Sequence, residues 1–163
     1  MSKLSAIKKH FDISPLQVDD SASLCQIHQH CFIPAWGKQA FDDFLTDHSI
    51  FGYKASLIEQ ADKILGFCLC RLIIDEAEII TIAVHPYFRQ QGIGSLLIDS
   101  TLHHLHHKRA IKLFLEVEET NFSALKLYQS FEFQKISKRR AYYQGENSHT
   151  DAIIMQKTFK QTD

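Results

Sequence analysis

Proline and glycine are scarce in this chain of 163 residues: three prolines and six glycines, none gathered into a linker. There is no low-complexity tract and no internal repeat. Nothing therefore marks a domain boundary, and residues 1–163 read as one domain, long enough to bury a core of its own. Long apolar runs are lacking too. No stretch approaches the ~20 residues of a membrane-spanning helix. The N-terminal MSKLSAIKKHFD carries lysines without the apolar segment of a signal peptide. Net charge is nearly absent, at −1. Bulk electrostatics thus recruit neither nucleic acid nor an acidic membrane, and the cytoplasm is the expected location.

Cysteine occurs at positions 25, 31, 68 and 70 but never as a CxxC pair, so reduced thiols are the simplest reading. CQIHQHC, residues 25 to 31, mixes Cys and His in a metal-like way. However, Cys25, His28 and Cys31 fall at helical spacing beside Leu24 and Ile27, and no second cluster at zinc-finger spacing follows. In HHLHH, residues 103 to 107, His103 and His107 share one helix face, and a solvated face explains them. No metal is expected.

The periodicities predict a mixed order of elements. A first strand lies near residue 11, a helix spans about 21–32, IPAWG breaks it, and a second helix covers 38–46. Strands follow around 55, over 63–75 and through EIITIAVHP, with a turn at DEAE. A helix runs from about Gly92 to His107, a strand covers 111–119, and a helix capped by Asn121 reaches about Phe131. Strands near 132–142 and 151–159 close the chain. Hairpin strands flanking one β–α–β unit give a mixed α/β (α+β) class: a mostly antiparallel sheet of about six or seven strands with about four helices.

VHPYFRQQGIGSLLI, residues 84 to 98, carries the first chemical signal. A helix begins directly after Gly92 and Gly94, and its first turn has backbone N–H groups with no internal acceptor. The macrodipole is positive there, and glycines let a ligand approach the backbone. Phosphate is the usual guest of such a site, although a plain glycine-containing loop fits the same residues. A dinucleotide-binding unit shares the outline, and Glu116 follows at roughly the spacing of a ribose-binding acid. Against it, position 97 is Leu97 where a third glycine belongs, and the loop from Val84 to Gly92 is long. The absence of GK[ST] excludes a P-loop.

RQQGIG, Arg89 to Gly94, resembles the Arg/Gln-x-x-Gly-x-Gly/Ala acetyl-CoA motif of the GNAT superfamily of N-acetyltransferases. The similarity covers about residues 11 to 159. ITIAVHPYFRQQGIG, LEVEETNFSALKLYQSFEF, KRRAYY and DAIIM are similar to the RimI subfamily, which acetylates the N-terminal alanine of a small-subunit ribosomal protein. The resemblance implies the GNAT fold, a monomer, acetyl-CoA as cosubstrate and a protein N-terminus as partner. It places the pyrophosphate on the backbone of Gln90, Gln91, Gly92, Ile93, Gly94 and Ser95, with Arg89 adding charge. The pantetheine arm would pair with Ile82, Ala83 and Val84 as an added strand, and Asn121 would touch the cofactor as well as capping its helix. Other amines, lysine among them, and a non-catalytic acyl-CoA or dinucleotide-binding module are the alternatives.

Transfer of an acetyl group to an amine needs a neutral amine, a stabilised oxyanion and a protonated leaving thiolate. Alternation in LFLEVE puts Leu113, Leu115 and Val117 on one face and Phe114, Glu116 and Glu118 on the other. That pattern alone reads Glu116 as a solvated carboxylate. The resemblance makes it the general base, and makes Tyr128 the acid for the thiolate. Ala124, Tyr128 and Phe131 share a helix face, which otherwise reads as core. A backbone N–H on the strand ending at Val84 would hold the oxyanion. Trp36, Tyr142 and Tyr143 flank the peptide groove by resemblance; surface aromatics are the plainer reading. One departure stands out. Glu132 replaces the family's glycine after the helix that carries Tyr128, and Glu suits a left-handed C-cap poorly, so a reshaped turn is expected there.

Overall fold

A computed structural model of the chain describes residues 10–140 and 150–160. Seven strands form one sheet: β1 (Phe11–Pro15), β2 (Ile50–Leu57), β3 (Gln60–Ile73), β4 (Glu76–Val84), β5 (Lys112–Glu118), β6 (Gln134–Arg139) and β7 (Ala152–Thr158). The α-helices are α1 (Ser21–Cys31), α2 (Lys38–Thr46), α3 (Ile93–His107) and α4 (Phe122–Ser130). The sheet order is β1-β2-β3-β4-β5-β7-β6. Every neighbouring pair is antiparallel except β4–β5. One parallel step in seven strands is not a doubly wound sheet, so the dinucleotide-binding outline fails on topology. The mixed, mostly antiparallel expectation holds.

Two helix layers cover the sheet. One face packs α3 and α4 against it through Ile93, Leu96, Leu97, Leu105 and Tyr128. The other face packs α1 and α2 through Leu24, Ile27 and Phe41 on Phe67 and Leu69 of β3. On β5 the alternation is as predicted: Leu113, Leu115 and Val117 are buried toward α3, while Glu116 and Glu118 are exposed. β4 changes phase midway. The β3–β4 register shifts between Leu69 and Cys70. Before the shift Ala77 and Ile79 face α3; after it Ile82 and Val84 do, and Ile80 and Ala83 pack with α1. An extra residue in one strand has this effect on facing.

The strand predicted over 63–75 ends at Ile73, which pairs with Glu76. The turn is Ile74-Asp75, one step ahead of the DEAE segment, and Ile74 takes a left-handed φ of 59°. The Asp75 carbonyl accepts from the Ile111 N–H at 2.6 Å, which ties the hairpin to the start of β5.

Candidate active site

The parallel pair β4–β5 is in register over only three pairs, Glu76 with Lys112 to Glu78 with Phe114. β4 then runs on to Val84 and β5 to Glu118 without pairing to each other, so the sheet opens between them toward the strands' carboxyl ends. The His85 N–H donates to Leu65 O of β3 at 2.8 Å. Strand alternation therefore turns the backbone groups of Ile82 and Val84 to the open edge and those of Ala83 to β3. Of the three strand residues predicted at the site, two face the gap.

α3 starts beside that opening. Its N-cap is Gly92, with φ 86°, and no side chain caps the first turn. The amides of Ile93, Gly94 and Ser95 thus lack intrahelical acceptors. Gln90 is also left-handed, at φ 62°, and with Gly92 it turns the chain sharply into the helix. Ile93 is buried and can offer a ligand only its backbone. Gly94 has a second reason to be small: a Cβ there would meet Leu127 Cδ2 of α4 at 3.2 Å. Arg89 is not directed at the loop. Its Nε donates to Val84 O at 3.1 Å and its Nη2 to Cys31 Sγ at 3.4 Å.

Tyr128 lies on α4 with its residue 4% exposed. Burial pushes its pKa well above the ordinary phenol value, so the group is held as neutral O–H. Among the described residues no fully buried side-chain oxygen or nitrogen lacks a hydrogen-bond partner. The Tyr128 ring packs on Phe133, with centroids 5.7 Å apart. Glu116 stands on the opposite face of the sheet, exposed. Its Oε1 accepts from Nε of Arg139 at 2.7 Å and from Nη2 of the same guanidinium. Arg139 is on β6, two strands away, and sequence reasoning missed it. Asn121 caps α4, its Oδ1 accepting from the Ala124 N–H at 3.1 Å.

The turn after α4 is not reshaped. Glu132 adopts φ 66°; its N–H donates to Gln129 O at 3.0 Å, and the Phe133 N–H donates to Tyr128 O at 3.1 Å. This is the Schellman pattern with glutamate where glycine is usual, and its apolar contact is the Tyr128–Phe133 pair. Lys157 compensates in part, donating to Phe131 O at 2.8 Å and to Glu132 Oε2 at 3.2 Å. Trp36 is half-buried, its ring against His28, Phe41 and Phe44. Tyr142 and Tyr143 lie outside the described residues.

All four cysteines are free thiols, and burial pushes Cys70 up from its usual pKa. In the HHLHH segment the structural residue is His104. It stacks on Phe51 at 4.0 Å and its Nδ1 meets the Tyr53 hydroxyl at 3.0 Å, while His103 and His107 are exposed.

An open strand edge next to an uncapped helix N-terminus suits a ligand with an amide-bearing arm and an anionic end. That geometry fits an acyl-CoA-dependent transferase. The Acetyltransferase (GNAT) family matches residues 21–133, and the chain belongs to that family as an acetyl-CoA-dependent N-acetyltransferase. It is 31% identical over 143 residues to the [ribosomal protein bS18]-alanine N-acetyltransferase of Salmonella typhimurium, covering 88% of this chain and 94% of that protein. The Escherichia coli K12 enzyme of the same name is 30% identical over the same lengths. The crystal structure of the Escherichia coli ribosomal-protein-S18-alanine N-acetyltransferase superposes with a TM-score of 0.83 at 28% identity, covering 94% of this chain and 96% of that one. Arabidopsis thaliana NAA60 in complex with acetyl-CoA shares the fold, with a TM-score of 0.79 at 17% identity over 91% of this chain and 98% of that one.

Proposed function

We propose that the chain acetylates the α-amine of a protein N-terminus beginning with alanine, that of ribosomal protein bS18, and does so as a cytoplasmic monomer of one domain. The observation that carries this is the parting of β4 from β5, which joins the two sheet faces through one gap. A neutral phenol, Tyr128, lies on one face and a carboxylate, Glu116, on the other. Acetyl-CoA supplies the acetyl group as an activated thioester. The first-turn amides of α3 and the edge of β4 would hold it on the Tyr128 face, and the acceptor would enter from the Glu116 face. Glu116 takes the amine proton, and the Tyr128 O–H gives its proton to the departing sulfur. The names of the relatives support the acceptor.

Proton chemistry points the same way. An α-amine titrates near ~8 and a lysine near ~10.4. Neutralising the lysine costs about 3 kcal/mol more at neutral pH, and a carboxylate is a weak base for that task. Incubation with acetyl-CoA and a peptide panel, with the acetyl group located by tandem mass spectrometry, tests the proposal. The bS18 N-terminal peptide should be acetylated at its α-amine, and the same peptide with a blocked α-amine and a free lysine should react poorly. Label found mainly on lysine side chains or on small amines would reject the acceptor and leave the acetyltransferase.

A further inference from the structure

CQIHQHC, residues 25 to 31, has no part in the proton transfers above, yet two of its side chains share a target. Trp36 is held from α1 at both of its backbone groups. Its N–H donates to His28 Nδ1 at 3.1 Å, and its carbonyl accepts from Cys25 Sγ at 3.6 Å. Cys25 and His28 are one turn apart on α1, which places both above the same stretch of chain. His28 is buried, 2% exposed. It lies between Phe32, 4.3 Å away, and Trp36, 4.6 Å away, with Phe41 edge-on at 5.5 Å. The segment 32–37 is thus wrapped around one imidazole. Cys31 fixes where the segment starts, its Sγ donating to Val84 O at 3.5 Å, at the open end of the gap. Phe32 and Ile33 stand exposed on this segment. It belongs to the α1–α2 layer, which covers the face that carries Glu116.

The hydrogen bond dictates a protonation state. Nδ1 accepts an N–H only when it carries no proton itself. The surroundings favour the same state, since burial holds the His28 pKa below its ordinary 6.5. Among the described residues its ring contacts are Phe32 and Trp36 from the loop and Phe41 from α2. On α2, Lys38 and Asp42 pair with each other at 2.8 Å. On α1 the Cys25 thiol is bonded to Trp36 O, and His30 turns to His85, 4.9 Å away. From β3 the layer receives Phe67, packed on Phe41.

We propose that His28 is a positioning residue for the acceptor: neutral, it fixes the 32–37 segment as a wall beside the gap; protonated, it releases the Trp36 N–H and the wall loosens. The inference rests on the reading that a peptide N-terminus enters from the Glu116 face.

Trp36 is the only tryptophan of the chain, so its fluorescence reports on the imidazole stacked against it. Acidification from pH 8 to pH 5 should quench that fluorescence with a midpoint below 6.5. The affinity for an N-acetylated product peptide, which has no amine to titrate, should weaken with the same midpoint. The expected change is several-fold to about tenfold, the scale of one hydrogen bond. Acetyl-CoA affinity should stay flat. His28→Asn puts a non-titrating oxygen near the Nδ1 position and should keep peptide affinity at pH 8 while losing its pH dependence. His28→Phe keeps the stack without the acceptor and should bind peptide weakly at every pH, with kcat intact at saturating peptide. Wild-type peptide affinity that ignores the Trp36 titration, or a pH dependence that survives in His28→Asn, overturns the positioning role. A product peptide that fails to bind at pH 8, while acetyl-CoA binds, overturns the peptide reading and this inference with it.

Discussion

Tyr128 is buried, and its ring packs against Phe133. Burial also raises its pKa well above the usual phenol range, so the group carries its proton throughout the working pH range. Phenylalanine keeps the ring against Phe133 and removes only that proton. Tyr128→Phe should lower kcat by about 10²-fold, the scale of one general acid, with acetyl-CoA affinity unchanged. The pH profile is fixed by the same shift. A group with a raised pKa stays protonated until well above its unperturbed value, so Tyr128 imposes no alkaline limb below pH ~10. Wild-type kcat/KM should climb through the amine's ~8 and then hold level. A fall between pH 8.5 and 9.5 that disappears in the variant would show the phenol ionising, contrary to this account.

At the scale of elements, α4 owes its placement to the turn that ends it. Glu132 sits at φ 66°, where an L-residue is strained by roughly 1 kcal/mol and glycine is not. The turn closes all the same, because Lys157 caps Phe131 O and pairs with the Glu132 carboxylate. Glu132→Gly should therefore stabilise the protein by about 1 kcal/mol, or roughly 2–4 °C in Tm, since the cap on Phe131 O survives. An unchanged or lowered midpoint in thermal denaturation would mean that the Lys157–Glu132 pair outweighs the strain. The glycine-to-glutamate departure was legible in the sequence. Its outcome was not, because Lys157 approaches from β7, which the chain reaches only after β6. The Glu116–Arg139 pair was hidden for the same reason: β7 separates the two strands in the sheet. What could be read were the local periodicities, which gave the facing of Glu116, the burial of Tyr128 and the helix start at Gly92. The phase change in β4 left no mark in ITIAV, where every position is apolar or β-branched. The targets of the CQIHQHC side chains were hidden for a simpler reason. Spacing shows which side chains share a face, and their common target was a backbone eight residues beyond His28.

At the scale of the whole molecule, three of the described histidines are biased toward the neutral form. His28, His85 and His104 all have pKa values lowered from 6.5, with burial as the first cause in each. A lowered folded value means that the unfolded chain binds protons more readily. The stability these groups contribute is complete above pH ~6.5 and is lost as pH falls through their folded values. At alkaline pH the signs reverse. Cys70, Tyr53 and Tyr128 are raised, so their contribution is complete below the unfolded values and fades as pH rises past ~9–10. Stability should therefore plateau near pH 7–8 and decline on both sides. The acid limb belongs to histidines on both faces of the sheet: His28 holds the 32–37 segment, and His104 joins α3 to β2 through Phe51 and Tyr53. Urea denaturation should give a lower midpoint at pH 5.5 than at pH 7.5. A His28→Asn/His104→Asn double variant should show a smaller difference between the two pH values, whatever its absolute stability. An acid limb that begins only below pH 4, or one of full size in the double variant, would assign it to carboxylates such as Asp42 and Asp47, whose pKa values are lowered from 3.8.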